Sequence, residues 1–277
     1  MNPTILKAVP APGTGGSQRE VPLFSIIIVN CNGGDYIRRA LASLAAQDFR
    51  DFEVFLVDNA SSDGSMDNLG ADLPPRLNII QLDDNIGFAG GNNHAAKLAT
   101  GTWLALLNPD AEAEPDWLSR LYAASARHPN TNMFASAQID LNDPGRLDGA
   151  GDALFGFGIP WRGGFGRPRQ ELPEEGSCFS PCGAGAMYRR TTFLAHGGFD
   201  ERFFCYCEDV DLGYRLRLAG EDCVFVPDAV IRHAGSGLTG RNSDFALRHG
   251  ARNRMWTYVK NTPLPLFVFT LPGHVAL

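Results

Sequence analysis

Four short apolar runs, each ending in polar residues, constrain the fold of this chain more than any other feature. Residues 24–29, 52–57, 77–82 and 102–107 are rich in β-branched and large apolar side chains and, most plainly in the first, lack regular in–out alternation. Strands buried on both faces of a parallel sheet have this pattern. The segments between them carry helical signals. Ile37, Leu41 and Leu44 fall at helical spacing behind Asp35, a candidate cap. A second helix is expected from about residue 91 to 100. Pro115 suits the first turn of a third helix running to His128, with Trp117, Leu118 and Leu121 on its inner face. Such alternation predicts an α/β fold, a mostly parallel sheet flanked by helices. Ligands of such sheets bind beyond the carboxyl ends of the strands, so the polar residues there are the first candidates for function.

The rhythm breaks between about residues 141 and 176, where glycine, proline and aromatic residues dominate without a period. A long irregular insertion of this kind tends to be functional. Regular structure is expected again at 182–188, in a helix at 208–219 closed by Gly220, in a strand around Val224 and in a last helix at 244–260. The 277 residues suit one large domain at 21–262, with a first half at 21–140 and a second at 141–262. Residues 1–20, rich in Pro, Gly and Ser, read as a disordered tail. Residues 263–277 are apolar but short and broken by Pro265 and Pro272, so they do not predict a membrane span. They read as an interfacial segment, a packed tail or the start of a further element. The net charge of −7 disfavours a nucleic-acid partner. The six cysteines show no framework spacing and read as reduced thiols of a cytosolic protein.

The strand ends offer several chemistries. The first strand runs into Asn30. The second runs into Asp58 and the turn 59–65, where the carboxylate either accepts the N3–H of a pyrimidine ring or makes a local Asx-turn. Asn85-Ile-Gly-Phe-Ala-Gly-Gly-Asn-Asn93 is a glycine-rich turn entering a helix, suited to a diphosphate or to a plain turn. Asn108-Pro109-Asp110 ends the fourth strand, where Asp110 suits a hard cation or caps a turn. Glu208-Asp209-Val210-Asp211 opens a helix, either as dipole complement or as the source of a general base. His233 follows a later strand and is open to a structural or a ligand role.

Together and in this order, these motifs resemble the inverting glycosyltransferases of the large family that includes bacterial rhamnosyl- and galactofuranosyltransferases. The likeness rests on the segments at 25–30, 57–65, 85–93 and 107–110, and continues through Gly183-Ala-Gly-Ala-Met187, Gly198-Phe-Asp-Glu201, 208–212, His233 and Arg252-Asn253. It implies a GT-A fold, with a nucleotide-sugar-binding half followed by an acceptor-binding half. It implies a base-binding role for Asp58, donor contacts for Asn85, Gly87 and Asn93, and metal ligation by Asp110 and His233. Asp209 of the Glu208–Asp209 pair corresponds to the catalytic base, and Arg252 is placed to reach the diphosphate. Asn108 stands where many relatives carry the first aspartate of a D-x-D motif. Asn30 and Asn108 fall with the donor-facing strand ends.

The implied reaction moves a sugar from a dTDP- or UDP-linked donor to a hydroxyl acceptor with inversion, using Mn²⁺ or Mg²⁺. The resemblance leans toward dTDP-rhamnose and toward a lipid-linked or polysaccharide acceptor in cell-envelope synthesis at the inner face of the membrane. A basic stretch at 241–260 before the apolar end gives a reason to expect peripheral membrane contact. Two rivals remain at this level. A sugar-nucleotide nucleotidyltransferase would place basic residues directly after the first strand, whereas here none comes before Arg38. A binding domain without turnover would not need Asp110, Glu208, Asp209 and His233 together.

Overall fold

The computed structural model describes residues 5–8, 21–235 and 243–276. In chain order the first half contains β1 (Ile5–Ala8), β2 (Phe24–Asn30), α1 (Tyr36–Ala45), β3 (Phe52–Asn59), β4 (Leu77–Leu82), α2 (Gly87–Leu98), β5 (Trp103–Leu107), β6 (Ala111–Ala113), α3 (Trp117–Arg127) and β7 (Met133–Asp140). The second half contains β8 (Leu147–Ala150), β9 (Asp152–Phe155), β10 (Ile159–Arg162), β11 (Gly176–Cys178), β12 (Gly185–Arg189), α4 (Arg190–Ala195), α5 (Glu208–Leu218), β13 (Cys223–His233), α6 (Asp244–Asn261) and α7 (Leu264–Ala276).

The sheet runs β1-β4-β3-β2-β5-β12-β7-β13-β11. Its centre, β4-β3-β2-β5, is parallel throughout. This is the arrangement that the four apolar runs predict. Beyond β5 the sheet becomes mixed. β12 lies antiparallel to both β5 and β7, while β13 returns parallel to β7. Period-two side-chain direction splits each central strand between two cores. Phe24, Ile26 and Ile28 pack with Ile37, Leu41 and Leu44 of α1 and with Trp117, Leu118 and Leu121 of α3. Ile27 and Val29 pack on the other face with Ala95 and Ala96 of α2 and Leu212 and Leu216 of α5. Each such fully buried large side chain stabilises the fold by about 1.5–3 kcal/mol.

Several local expectations change. Helix α2 begins at Gly87 rather than near residue 91, so the glycine-rich stretch forms its first turns. Asp35 makes no cap hydrogen bond; its carboxylate pairs with Arg38 instead. The stretch at 141–176 contains β8 and a separate two-stranded hairpin, β9–β10. Ile5–Ala8 pairs with β4 as an edge strand, where the sequence suggested no regular structure, and the rest of the proposed 1–20 tail lies outside the described residues. The 264–276 segment is helical and anchored through His274, while most of its large apolar side chains are exposed. His274 stacks on Tyr258 with ring centroids 3.8 Å apart and its Nδ1 lies 2.8 Å from the Phe157 carbonyl. All six cysteines are free.

Candidate active site

The carboxyl ends of β2, β3 and β5 open onto a cavity of about 590 Å³. Its walls include Cys31, Asn59, Asn85, Gly87, Asn108, Asp110, Arg162, Gly183, Glu208, Asp209 and His233. Residues from both halves of the chain therefore meet at the place that the sheet topology designates.

Two short pairings bring Asp110 to His233. β6, directly after Asp110, lies antiparallel to the end of β13 with Ala111 opposite His233. The Ala234 N–H then donates to the Asp110 carbonyl at 3.0 Å. The side chains follow, with His233 Nε2 3.2 Å from Asp110 Oδ1 and both residues buried. His233 Nδ1 lies 2.8 Å from Asp148 Oδ2, and Asn108 Nδ2 faces Nε2 at 3.2 Å. Burial by itself would lower the His233 pKa, but hydrogen bonds to Asp110 and Asp148 and their charges raise it from 6.5 to about 9. When Nδ1–H points at Asp148, the Nε2 lone pair and the Asp110 carboxylate converge, and a proton or a cation must lie between them. A His and a carboxylate so arranged, with the far ring nitrogen held by a second carboxylate, fit a divalent ion that takes its other ligands from substrate oxygens and water. Among the described residues no cluster of three or more His, Cys, Asp or Glu side chains suited to a metal is present.

On the opposite wall, the start of α5 separates its three acids. Glu208 and Asp209 both line the cavity, Glu208 buried and Asp209 partly exposed, whereas Asp211 is buried away from it. Asp211 is fully engaged: Arg215 Nε, Lys260 Nζ and Asn261 Nδ2 reach it at 3.0, 2.9 and 2.8 Å, joining α6 to α5. Glu208 Oε2 has no hydrogen-bond partner, and burial first, then the charge of Asp209, pushes its pKa well above the carboxylate range. Asp209 accepts from the Gly183 N–H at 2.7 Å and the Val210 N–H at 2.8 Å.

The turn before α5 is conformationally demanding. Phe204, Tyr206 and Cys207 all have positive φ, a costly arrangement for non-glycine residues. Asn253 of α6 holds it, its Nδ2 lying 2.9, 2.8 and 2.7 Å from the carbonyls of Phe203, Cys205 and Tyr206. The Phe204 carbonyl in turn accepts from the Ala89 N–H at 3.1 Å. Gly87 permits this approach: its φ is +78°, and a Cβ there would lie 2.4 Å from the same carbonyl.

The remaining sequence candidates divide. Asn85 and Gly87 line the cavity, but the turn is not an open diphosphate cradle. The N–H groups of Ile86, Gly87 and Ala89 already donate to Asn59 Oδ1, Asn85 Oδ1 and the Phe204 carbonyl. Asp58 Oδ1 accepts from the Ser61 N–H at 3.1 Å, the local turn the sequence allowed, while its charge reaches Cys31 on the cavity wall. Asn30, Asp58, Asn93 and Arg252 do not line the cavity. Asn30 clasps Ser61 and Ser65, each at 3.1 Å. Asn93 joins α2 to the 199–201 turn through Phe199 and Glu201. Arg252 donates to the Phe203 carbonyl at 3.1 Å and lies over the Trp256 ring.

Sequence reasoning passed over Asn59, Asp148, Asp152 and Arg162. Asp152 is buried, and burial first, then the Asp209 charge, raises its pKa to about 8. The signal available was a charged residue set in an otherwise apolar and glycine-rich run, which describes Asp148, Asp152 and Arg162 alike.

Comparison with known proteins follows this geometry. The family model described as Glycosyl transferase family 2 matches residues 25–196. An N-acetylglucosaminyl-diphospho-decaprenol L-rhamnosyltransferase of Mycobacterium tuberculosis is 29% identical over 257 residues, covering 84% of this chain and 82% of the relative. The O-antigen biosynthesis protein RfbC of Myxococcus xanthus is 33% identical over 265 residues, 88% of this chain but 20% of that protein. A solved mannosyltransferase of Pyrobaculum calidifontis, in complex with GDP-Man and Mn²⁺, superposes with a TM-score of 0.62 at 20% identity, over 90% of this chain and 68% of that one. GalNAc-T7 with UDP, GalNAc and Mn²⁺ gives 0.61 at 17% identity, over 78% and 44%. These structures share the GT-A fold with this chain.

Proposed function

The chain belongs to glycosyl transferase family 2, and from that premise we propose that it transfers a sugar from a nucleotide diphosphate donor to a hydroxyl acceptor with inversion. The observation that carries this reading is the meeting of the Asp110–His233 pair and Asp209 on the walls of one cavity at the strand ends. A divalent cation, Mn²⁺ or Mg²⁺, held by Asp110 and His233 would neutralise charge developing on the leaving diphosphate. Asp209 takes the proton of the acceptor hydroxyl as that oxygen attacks the anomeric carbon from the face opposite the leaving group. One displacement inverts configuration, and one base suffices for it. Burial and the neighbouring Asp209 charge disfavour the carboxylate form of Glu208, which favours Asp209 for that role.

Donor choice follows from Asp58, whose second carboxylate oxygen suits a pyrimidine N3–H near Cys31. The similarity to a rhamnosyltransferase favours dTDP-rhamnose, with UDP-sugars next. The acceptor is a lipid-linked glycan in cell-envelope synthesis, by the same similarity. Fourteen of the nineteen exposed large hydrophobic side chains among the described residues lie in 155–165 and on α6 and α7. Phe269 is 88% exposed, Leu264 74% and Trp161 62%, and Trp161 also lines the cavity. Such concentration suits peripheral contact with a bilayer that presents the acceptor. No helix among the described residues is long and apolar enough to cross a membrane. The basic stretch contributes less than its sequence suggests. Lys260 is paired with Asp200 and Asp211, Arg252 turns to Phe203, and Arg241 lies outside the described residues.

The test is transfer from dTDP-rhamnose and from UDP-sugars to a polyprenyl-diphosphate-linked N-acetylglucosamine, followed as released nucleoside diphosphate and product anomer. Inverted product with Mn²⁺ supports the reading. Retained configuration, or pyrophosphate release from a nucleoside triphosphate and a sugar phosphate, refutes it. Liposome flotation in which Phe269→Asp binds as well as wild type would refute the bilayer contact.

A further inference from the structure

A buried carboxylate stands behind His233 and is itself held by a partly buried guanidinium. Asp148, on β8, is 1% exposed. Its Oδ2 lies 2.8 Å from His233 Nδ1 and accepts from Arg162 Nη1 at 2.9 Å. Arg162 comes from β10, at the far end of the hairpin. Its stem reaches Asp148 because residue 149 is glycine: a Cβ there would lie 2.8 Å from Arg162 Cδ. A buried carboxylate needs charged or hydrogen-bonded partners to remain ionised, and Asp148 has one on each side.

We propose that Asp148 and Arg162 form a positioning pair that fixes the His233 ring with Nε2 presented to Asp110, and so sets the cation affinity of the site. The proposal rests on the reading of Asp110 and His233 as cation ligands. The geometry makes the hairpin an extension of that site, because Pro160 and Trp161 line the cavity beside Arg162. A ligating imidazole commonly gives its other N–H to a carboxylate, which fixes tautomer and orientation, and losing that carboxylate commonly weakens metal binding by about 10–100-fold. A purely structural ion pair would stabilise the hairpin and leave the imidazole untouched.

Two measurements on the full chain separate these roles. The first is Mn²⁺ affinity by electron paramagnetic resonance with dTDP or UDP present. Asp148→Asn is expected to lower it about 10–100-fold, and Arg162→Lys to lower it in the same direction by less. The second is the imidazole ¹⁵N spectrum of the metal-free protein. Recorded above about pH 9, where the ring is neutral, it is expected to show His233 with its proton held at Nδ1 in wild type and to lose that signature in Asp148→Asn. Thermal unfolding confirms that each variant folds, and if Asp148→Asn does not, Arg162→Lys carries both measurements. Unchanged Mn²⁺ affinity and an unchanged imidazole spectrum in a folded variant would overturn the proposal. Wild-type protein that binds no Mn²⁺ with either nucleotide would refute the cation reading and, with it, the claimed control of affinity. In that case the metal-free spectrum still decides whether Asp148 orients the ring.

Discussion

Replacing Asp209 with asparagine separates chemistry from architecture at the proposed base. Each carboxylate oxygen accepts one backbone N–H, from Gly183 at 2.7 Å and from Val210 at 2.8 Å. Asparagine retains one acceptor oxygen and turns an NH₂ group toward the other donor. One buried N–H then loses its partner, at about 1–3 kcal/mol. With an unfolding entropy of about 2.1 cal/mol/K per residue, that is a fall of about 2–5 °C in Tm for a chain of this length. The catalytic loss is larger. Removal of a positioned general base typically costs about 10²–10⁴ in rate, or roughly 3–5 kcal/mol of barrier. The assay is single-turnover transfer with donor bound, paired with calorimetric nucleotide affinity and thermal unfolding. The expected result is a rate lower by about 10²–10⁴, with nucleotide affinity kept and a small drop in Tm. Glu208→Gln is the internal control. Because burial and the Asp209 charge disfavour the carboxylate form of Glu208, its amide counterpart should keep transfer within a few-fold of wild type. Full transfer by Asp209→Asn together with an inactive Glu208→Gln would refute the assignment and move the role to Glu208.

The His233 pKa is raised from 6.5 to about 9, so the fold favours the protonated ring. In chelator its contribution, on the order of 3 kcal/mol, is fully present below about pH 6.5 and is lost as pH rises through about 9. Thermal unfolding of metal-free protein across that window should show a falling Tm, and Mn²⁺ affinity should rise with pH over the same range because the ion displaces the proton. A flat Tm would show that His233 does not carry the charge. Asn253→Ala frees three carbonyls of the positive-φ turn and should cost about 2–4 kcal/mol by chemical denaturation, with transfer reduced beyond the loss of folded protein. Gly87→Ala must displace the Phe204 carbonyl and should destabilise by about 1–3 kcal/mol; a neutral effect would mean the turn moves freely.

Legibility in the sequence followed the physics of each segment. The central strands were readable because strands buried on both faces need continuous apolar runs, and their polar ends marked the cavity before any coordinates did. Asp110, Asp209 and His233 stood out as polar residues at element ends, and all three line the cavity. The mixed second half was harder. β7 is followed by β8 and a hairpin of four-residue strands, too short for a periodic signal. Asp148 and Arg162 meet only through that hairpin, so no local pattern joins them. Asn93 and Arg252 lie off the cavity wall. Both sit in or beside a family motif, yet their hydrogen bonds go to the 199–203 segment, where they hold the site's supports in place.

The central claim is that Asp110 and His233 hold a cation on which donor binding depends. Calorimetric titration of dTDP and UDP into wild type and Asp110→Ala, each with Mn²⁺ and with chelator, tests it directly. The account predicts binding to wild type only with Mn²⁺, and none to Asp110→Ala in either condition. Equal nucleotide affinity in chelator, or an Asp110→Ala variant that binds with Mn²⁺ as wild type does, would contradict it.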